Sequence, residues 1–321
     1  MRLTRLSNAL PAIALLALVA MLPTATSRSA SDSSSYLPLI QTPSVPIIDG
    51  CPIFPADNPW NRPVASDPVD PNSDAYIASI MQDRQYLHAD FGGGGAYGIP
   101  YTTVGPDQAL VPVAFEYADE SDPGPYPIPP DAPVEGGSDR HVLVLQRETC
   151  KLYEMYAATY VGPGWAGGSG AVFDLRSNTL RPDGWTSADA AGLPILPGLA
   201  RYDEVSAGSI RHALRFTVQR SQRAYIHPAT HYASSLTATD LPPMGLRLRL
   251  KASYDLSGFT GQSRVVLEAL KTYGMIVADN GSSWFISGAS DARWDDEDLD
   301  QLKTVPGSAF EVVKVDRIYR P

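Results

Sequence analysis

The chain has 321 residues, 44% of them hydrophobic and 19% charged, and a formal net charge of −10 at pH 7. That acidity excludes a general nucleic-acid binder, which needs a basic footprint, and it disfavours attachment to anionic membranes. With 29 prolines and 26 glycines, long helices are expected to be rare.

The N-terminus reads as an address. Arg2 and Arg5 precede an apolar run from Ala9 to Leu22, and small residues come next at Ala25, Ser29 and Ala30. The run is too short to span a bilayer stably, so residues 1–30 are expected to be a secretory signal peptide. The expected destination is extracellular or cell-wall associated, with no membrane insertion after cleavage. Residues 31–50 are Ser- and Pro-rich and read as a linker. Residues 51–321 then form a single β-rich domain, expected to be monomeric. Cys51 and Cys150 make an even pair, which in an oxidising compartment predicts a disulfide.

Strand signals dominate the domain. They cover Val111–Tyr117, Arg140–Gln146, Cys150–Ala157, Gly170–Leu175, Ile210–Val218, Leu246–Tyr254, Met275–Ala278, Trp284–Ser287 and Phe310–Val315. The second and third are separated only by Arg147-Glu148-Thr149, which predicts a hairpin. Helices are expected at Asp74–Asp83, at Ser263–Tyr273 with Val266, Leu267 and Leu270 on one face, and at Asp295–Lys303. Asp119–Val134 holds six prolines in sixteen residues. It is expected to be a stiff surface loop that shapes a cleft rim or covers a sheet edge. The class implied is mainly β: an antiparallel β-sandwich or jelly-roll-like domain with a few peripheral helices.

The segment Arg201–Lys251 runs against the acidic background, with eight basic and three acidic side chains and three of the five histidines. Strand alternation places Arg247 and Arg249 on one face and Arg211 and Arg215 on one face of the earlier strand. If these strands were neighbours, the cations would form a stripe suited to an anionic polysaccharide; the competing reading is an ordinary solvated face. Nearby, Tyr225, His227, His231 and Tyr232 fall within eight residues, and His212 lies on an apolar strand face. A uronate β-elimination needs a cation to neutralise the carboxylate and a His or Tyr to move the proton. The candidate proton-transfer residues are therefore His227, His231, Tyr225 and His212. The spacing of His227 and His231 would suit a helical metal site, but Pro228 opposes a helix, so no metal and no cofactor is expected.

A glycoside hydrolase instead needs two carboxylates across a cleft. Glu116, Asp189 and Asp279 are the candidates. Trp185 and Trp284, in Gly- and Ser-rich loops, are candidate sugar platforms. No Gly-x-Ser-x-Gly elbow is present for a serine hydrolase.

Five phrases, namely Phe54–Asn61, Asp119–Pro130, Gly184–Pro194, Arg211–Phe216 and Asp279–Trp284, together resemble a family of secreted bacterial proteins without assigned activity. The resemblance spans about residues 51–315 and implies a single secreted domain and no particular substrate. The expected function is cleavage of an acidic polysaccharide by a lyase-like enzyme. The alternatives are a glycoside hydrolase with a carboxylate pair and a non-catalytic extracellular glycan-binding or structural protein.

Overall fold

The computed structural model describes residues 45–321. The expected signal peptide and most of the expected linker lie outside the described residues. Strands β1 (Ile47–Ile48) and β2 (Cys51–Pro52) form a small hairpin through Asp49 and Gly50, both at positive φ. Regular structure therefore begins inside the segment expected to be linker.

Helix α1 (Ser73–Ile80), β3 (His88–Asp90), β4 (Tyr101–Val104) and β5 (Val113–Phe115) come next. Beyond them, β6 (Val142–Gln146) and β7 (Lys151–Tyr156) pair as the expected antiparallel hairpin. They are succeeded by β8 (Thr159–Tyr160), β9 (Trp165–Gly167), β10 (Ser169–Asp174) and the short α2 (Tyr202–Ser206). The last part holds β11 (Leu214–Val218), β12 (Arg247–Leu250), α3 (Gly261–Thr272), β13 (Met275–Asn280), β14 (Phe285–Ser287), α4 (Asp296–Leu299) and β15 (Phe310–Val312). Helix α3 buries the face read from its periodicity, including Val266, Leu267 and Leu270.

The protein is mainly β, with few helices. Beside the β1–β2 hairpin, the strands form a six-stranded sheet in the order β15-β12-β13-β11-β14-β3, a four-stranded sheet β10-β7-β6-β4, and a three-stranded sheet β5-β9-β8. The sheets are mixed rather than antiparallel throughout: β11 runs parallel to β13, β14 to β3, β4 to β6 and β5 to β9. Tight turns force antiparallel pairing only where the connection is short, as between β6 and β7. The long excursions elsewhere let a strand re-enter in the same direction.

One core joins the two larger sheets, through Leu143, Leu145 and Leu152 on one and Leu214, Phe216, Ile276 and Ile286 on the other. A second core gathers Val142, Val144, Met155, Trp165, Tyr126 and Ile128. Strand β6 thus faces apolar neighbours on both sides, which explains its unbroken Val-Leu-Val-Leu run. Tyr126 and Ile128 belong to the proline-rich segment and are fully buried. That segment is the lid of the second core: prolines cannot extend a ladder, but their fixed backbone lays two large side chains onto the sheet at low entropic cost.

The disulfide between Cys51 and Cys150 is formed, with a sequence separation of 99. It ties the N-terminal hairpin to the β6–β7 turn, and Phe54 N donates to Leu175 O beside it. Reducing it is expected to lower stability by about 4–5 kcal/mol on the chain-entropy account; denaturant unfolding with and without reductant measures this, and an unchanged midpoint would contradict it. Among the described residues no helix is long and apolar enough to cross a membrane.

Candidate functional site

The face of the six-stranded sheet that carries the site is set by a register fault. Along β11, Arg215 and Thr217 share a face. By simple alternation Asp279 would share the opposite face with Met275 and Val277. However, Phe216 pairs with Val277 and Thr217 with Asp279, leaving Ala278 as an extra residue. A bulge of this kind re-aims the side chains beyond it, and Asp279 turns onto the face of Arg215. Asp90, opposite Ser287, joins that face through the neighbouring strands, and Arg215 Nη1 donates to Ser287 Oγ at 2.6 Å.

Asp189 arrives from a loop. Arg215 Nε and Nη2 donate to its two oxygens at 3.1 and 3.0 Å, and neither side chain is appreciably exposed. The loop is tightly fastened. Ser187 Oγ donates to Leu193 O and receives the Asp189 N–H, Ala191 N donates to Ala278 O, and Gly192 sits at φ +71°, where a Cβ would strike Thr230 Oγ1 and Trp185 O. From the four-stranded sheet, buried Glu154 accepts the N–H groups of Ile195 and Leu196 at 2.9–3.0 Å and anchors the same loop.

Two cavities flank Asp279. One, of about 490 Å3, is lined by Asp90, Tyr97, Glu135, His141, Arg215 and Phe285 among others. The second, of about 510 Å3, is lined by Tyr117, Glu120, Tyr156, Asp189 and His231. Asp139, Asp279 and Asn280 border both, so the two are lobes of one cleft.

The cleft is acidic. Burial, reinforced by the nearby Asp189 charge, pushes the Asp279 carboxyl up to about 7. Burial raises the Asp189 carboxyl as well, with Arg215 and a hydrogen bond to Asp279 working against it, so the two buried carboxyls titrate as a coupled pair. Burial likewise lifts Glu154 to about 7. His141 Nδ1 and Glu135 Oε2 are 2.5 Å apart, and His141 Nε2 donates to Ala188 O at 3.0 Å. Burial opposes charge on both partners, but their mutual hydrogen bond outweighs it, so His141 is raised and Glu135 lowered. The ionised form of the pair is therefore favoured, and its two charges cancel each other.

These shifts set the pH dependence of folding. Asp279 and Glu154 favour the protonated form in the folded state, relative to about 4 in an unfolded chain. Their contribution is complete below about pH 4 and is lost as pH rises through about 7. Glu204 runs oppositely: burial would raise it, but Arg201 and His212 pull it to about 2, so its contribution is lost as pH falls through that value. Thermal unfolding is expected to show its highest midpoint at about pH 4–5; a midpoint that climbs steadily from pH 5 to 8 would contradict this.

The candidates read from the sequence separate. Asp189, Asp279, Arg215 and His231 meet at the cleft, with His231 Nδ1 donating to Ala190 O at 2.9 Å. Glu116 is exposed, just past β5, and lines neither lobe. The expected cation stripe does not form, because β13 separates β11 from β12. Arg215 is neutralised by Asp189, and Arg249 pairs with Glu311 at 2.8 Å. Arg211 precedes β11, is exposed and donates to Ser209 Oγ. His212 is fully buried, within 3.1 Å of Glu204 and 3.0 Å of Arg201, so it serves a packed ion cluster. Trp284 is no sugar platform: it is fully buried against Phe216 and Phe310, as the burial of so large a ring favours. Trp185 is half-buried with the Arg181 guanidinium over its ring and lines neither lobe.

Arg247, His227 and Tyr225 gather elsewhere, around a smaller recess. There His227 Nε2 lies 2.8 Å from Asp183 Oδ1, and the Tyr225 hydroxyl also hydrogen-bonds Asp183. Their polar tips are thus occupied by a carboxylate. Among the described residues no group of three or more His, Cys, Asp or Glu side chains is arranged to hold a metal ion.

Asp90, Glu135, Asp139, His141 and Glu154 were not among the sequence candidates. Asp90 ends β3, His141 directly precedes β6 and Glu154 is buried within β7, whereas Glu135 and Asp139 lie in the loop before β6 and carry no local signal. No known protein family, curated protein or solved structure matches the chain.

Proposed function

We propose that the protein is a secreted glycoside hydrolase acting on a neutral polysaccharide, with Asp279 as general acid and Asp139 as its partner carboxylate. The observation that carries this reading is the cleft-facing Asp279 carboxyl, held protonated to about pH 7 between two lobes that both also reach Asp139. Two carboxyl groups in unlike environments, one buried and proton-bearing and one exposed, are what acid-assisted cleavage of a glycosidic bond requires. Asp279 would protonate the leaving oxygen, and Asp139 would activate water or attack the anomeric carbon. Asp189 is a positioning residue: both its oxygens are held by Arg215, and its charge adds to the burial that raises the Asp279 carboxyl.

The acidic lining and the neutralised Arg215 argue against a uronate polymer in this cleft; of the residues suited to β-elimination, His227 and Tyr225 are tied to Asp183 in another recess, His212 is buried in an ion cluster, and His231 alone lines the cleft. The rings of Tyr97, Tyr117, Tyr156 and Phe285 offer apolar faces for sugars. The disulfide and the N-terminal pattern support an extracellular setting.

The test is incubation with neutral and acidic polysaccharides, with reducing ends and ultraviolet absorbance monitored in parallel. Reducing ends from a neutral polymer without absorbance growth support the hydrolase. Absorbance growth on a uronate polymer would return the lyase reading. Because the acid must be protonated, kcat is expected to decline as pH rises through about 7; a rate that increases to pH 9 would count against Asp279.

A further inference from the structure

The smaller recess, of about 280 Å3, shares no lining residue with the cleft. Four cationic side chains line it, Arg62, Arg247, Lys314 and Arg317, against a single carboxylate, Asp316. In a chain of net charge −10 this is a local reversal of sign. Arg62 is partly answered by Asp67, at 2.7 Å, which lies outside the recess.

Arg247 is not answered. Its guanidinium donates to Tyr273 O, Pro59 O and Arg62 O, and among the described residues no carboxylate stands within ion-pair distance of it. Carbonyl oxygens fix the fork but carry no net charge, so the guanidinium keeps its field in a partly desolvated place. Burial and the nearby Arg62 both oppose that charge, and Asp67, already paired with Arg62, relieves it only in part. The floor is stiff: Arg317 lies over the Tyr319 ring at 4.5 Å, and that ring stacks on His227 at 4.2 Å. Four cations against one carboxylate are balanced better by a dianion than by a monoanion.

We propose that this recess binds a phosphate-type dianion, free or as the monoester of a larger ligand, between Arg62, Arg247, Lys314 and Arg317. The site is independent of the hydrolase reading, so either can fail alone.

The experiment is calorimetric titration of the disulfide-intact protein with inorganic phosphate, glycerol 3-phosphate and glucuronate at low ionic strength. Saturable phosphate binding at or below about 10 mM is expected, weakening with added chloride. Tighter binding of glycerol 3-phosphate would identify an ester-borne phosphate as the natural group, and equal binding would identify the free ion. Arg247 is part of the fold, so the diagnostic variant is Lys314→Gln with Arg317→Gln, both exposed. At unchanged near-ultraviolet circular dichroism it should bind phosphate at least about tenfold more weakly. No saturable phosphate binding, undiminished binding by the double variant, or binding of glucuronate in preference to phosphate would each overturn the proposal.

Discussion

Asp279→Asn is expected to lower kcat on a cleaved polysaccharide by about 10²–10⁴-fold while leaving the fold intact. The amide preserves size and can still donate to Asp189, so the contact between the two side chains survives. What disappears is the proton that Asp279 holds up to about pH 7. The variant should also lose the decline in stability between about pH 4 and 7 that Asp279 causes in the parent, because an amide does not titrate. Asp139→Asn supplies the comparison: it should reduce kcat without altering that limb of the stability profile. Near-parental kcat in Asp279→Asn, with the parental pH limit retained, would remove Asp279 from the chemistry.

Arg215→Met is expected to cost about 3–5 kcal/mol at pH 7. The substitution fills most of the volume but leaves Asp189, at 0% exposure, without the guanidinium that holds both its oxygens. Asp279 then sits beside a second carboxyl with no cation between the strands, since His141 is already paired with Glu135. The penalty should shrink toward pH 4, where both carboxyls can be protonated and the buried charge vanishes. Denaturant unfolding at pH 4 and pH 7 separates these terms. A loss below about 1 kcal/mol at pH 7 would mean that Arg215 and Asp189 do not stabilise each other as the geometry requires.

Most of the strands were legible in the chain because they obey local rules. The runs at Val142–Gln146, Lys151–Tyr156 and Leu214–Val218 carry β-branched or aromatic residues, and the first two are joined by a short turn. Helix α3 was legible from one apolar face, and the disulfide from an even cysteine count. Arg211, Arg215, Arg247 and Arg249 do not form one stripe, for a non-local reason. The strand inserted between β11 and β12 comes from residues 275–280, beyond both in sequence, and no periodicity within either strand announces it.

The site divides in the same way. Asp189 and Asp279 could be named from the sequence as carboxylates at element ends, but so could Glu116, which stands exposed and apart. One extra residue, Ala278, decides that Asp279 faces Arg215 rather than the core. The tyrosine-lined walls and Asp139 likewise depend on which loops meet. What the chain determined by itself was its β-rich class, its acidic character, its hairpin and its disulfide, all of which come from composition or from neighbours within a few residues. Only the tertiary structure decided which charges cancel, which carboxyl keeps its proton and which cations remain unanswered, because those depend on burial and on distances between residues far apart in the chain.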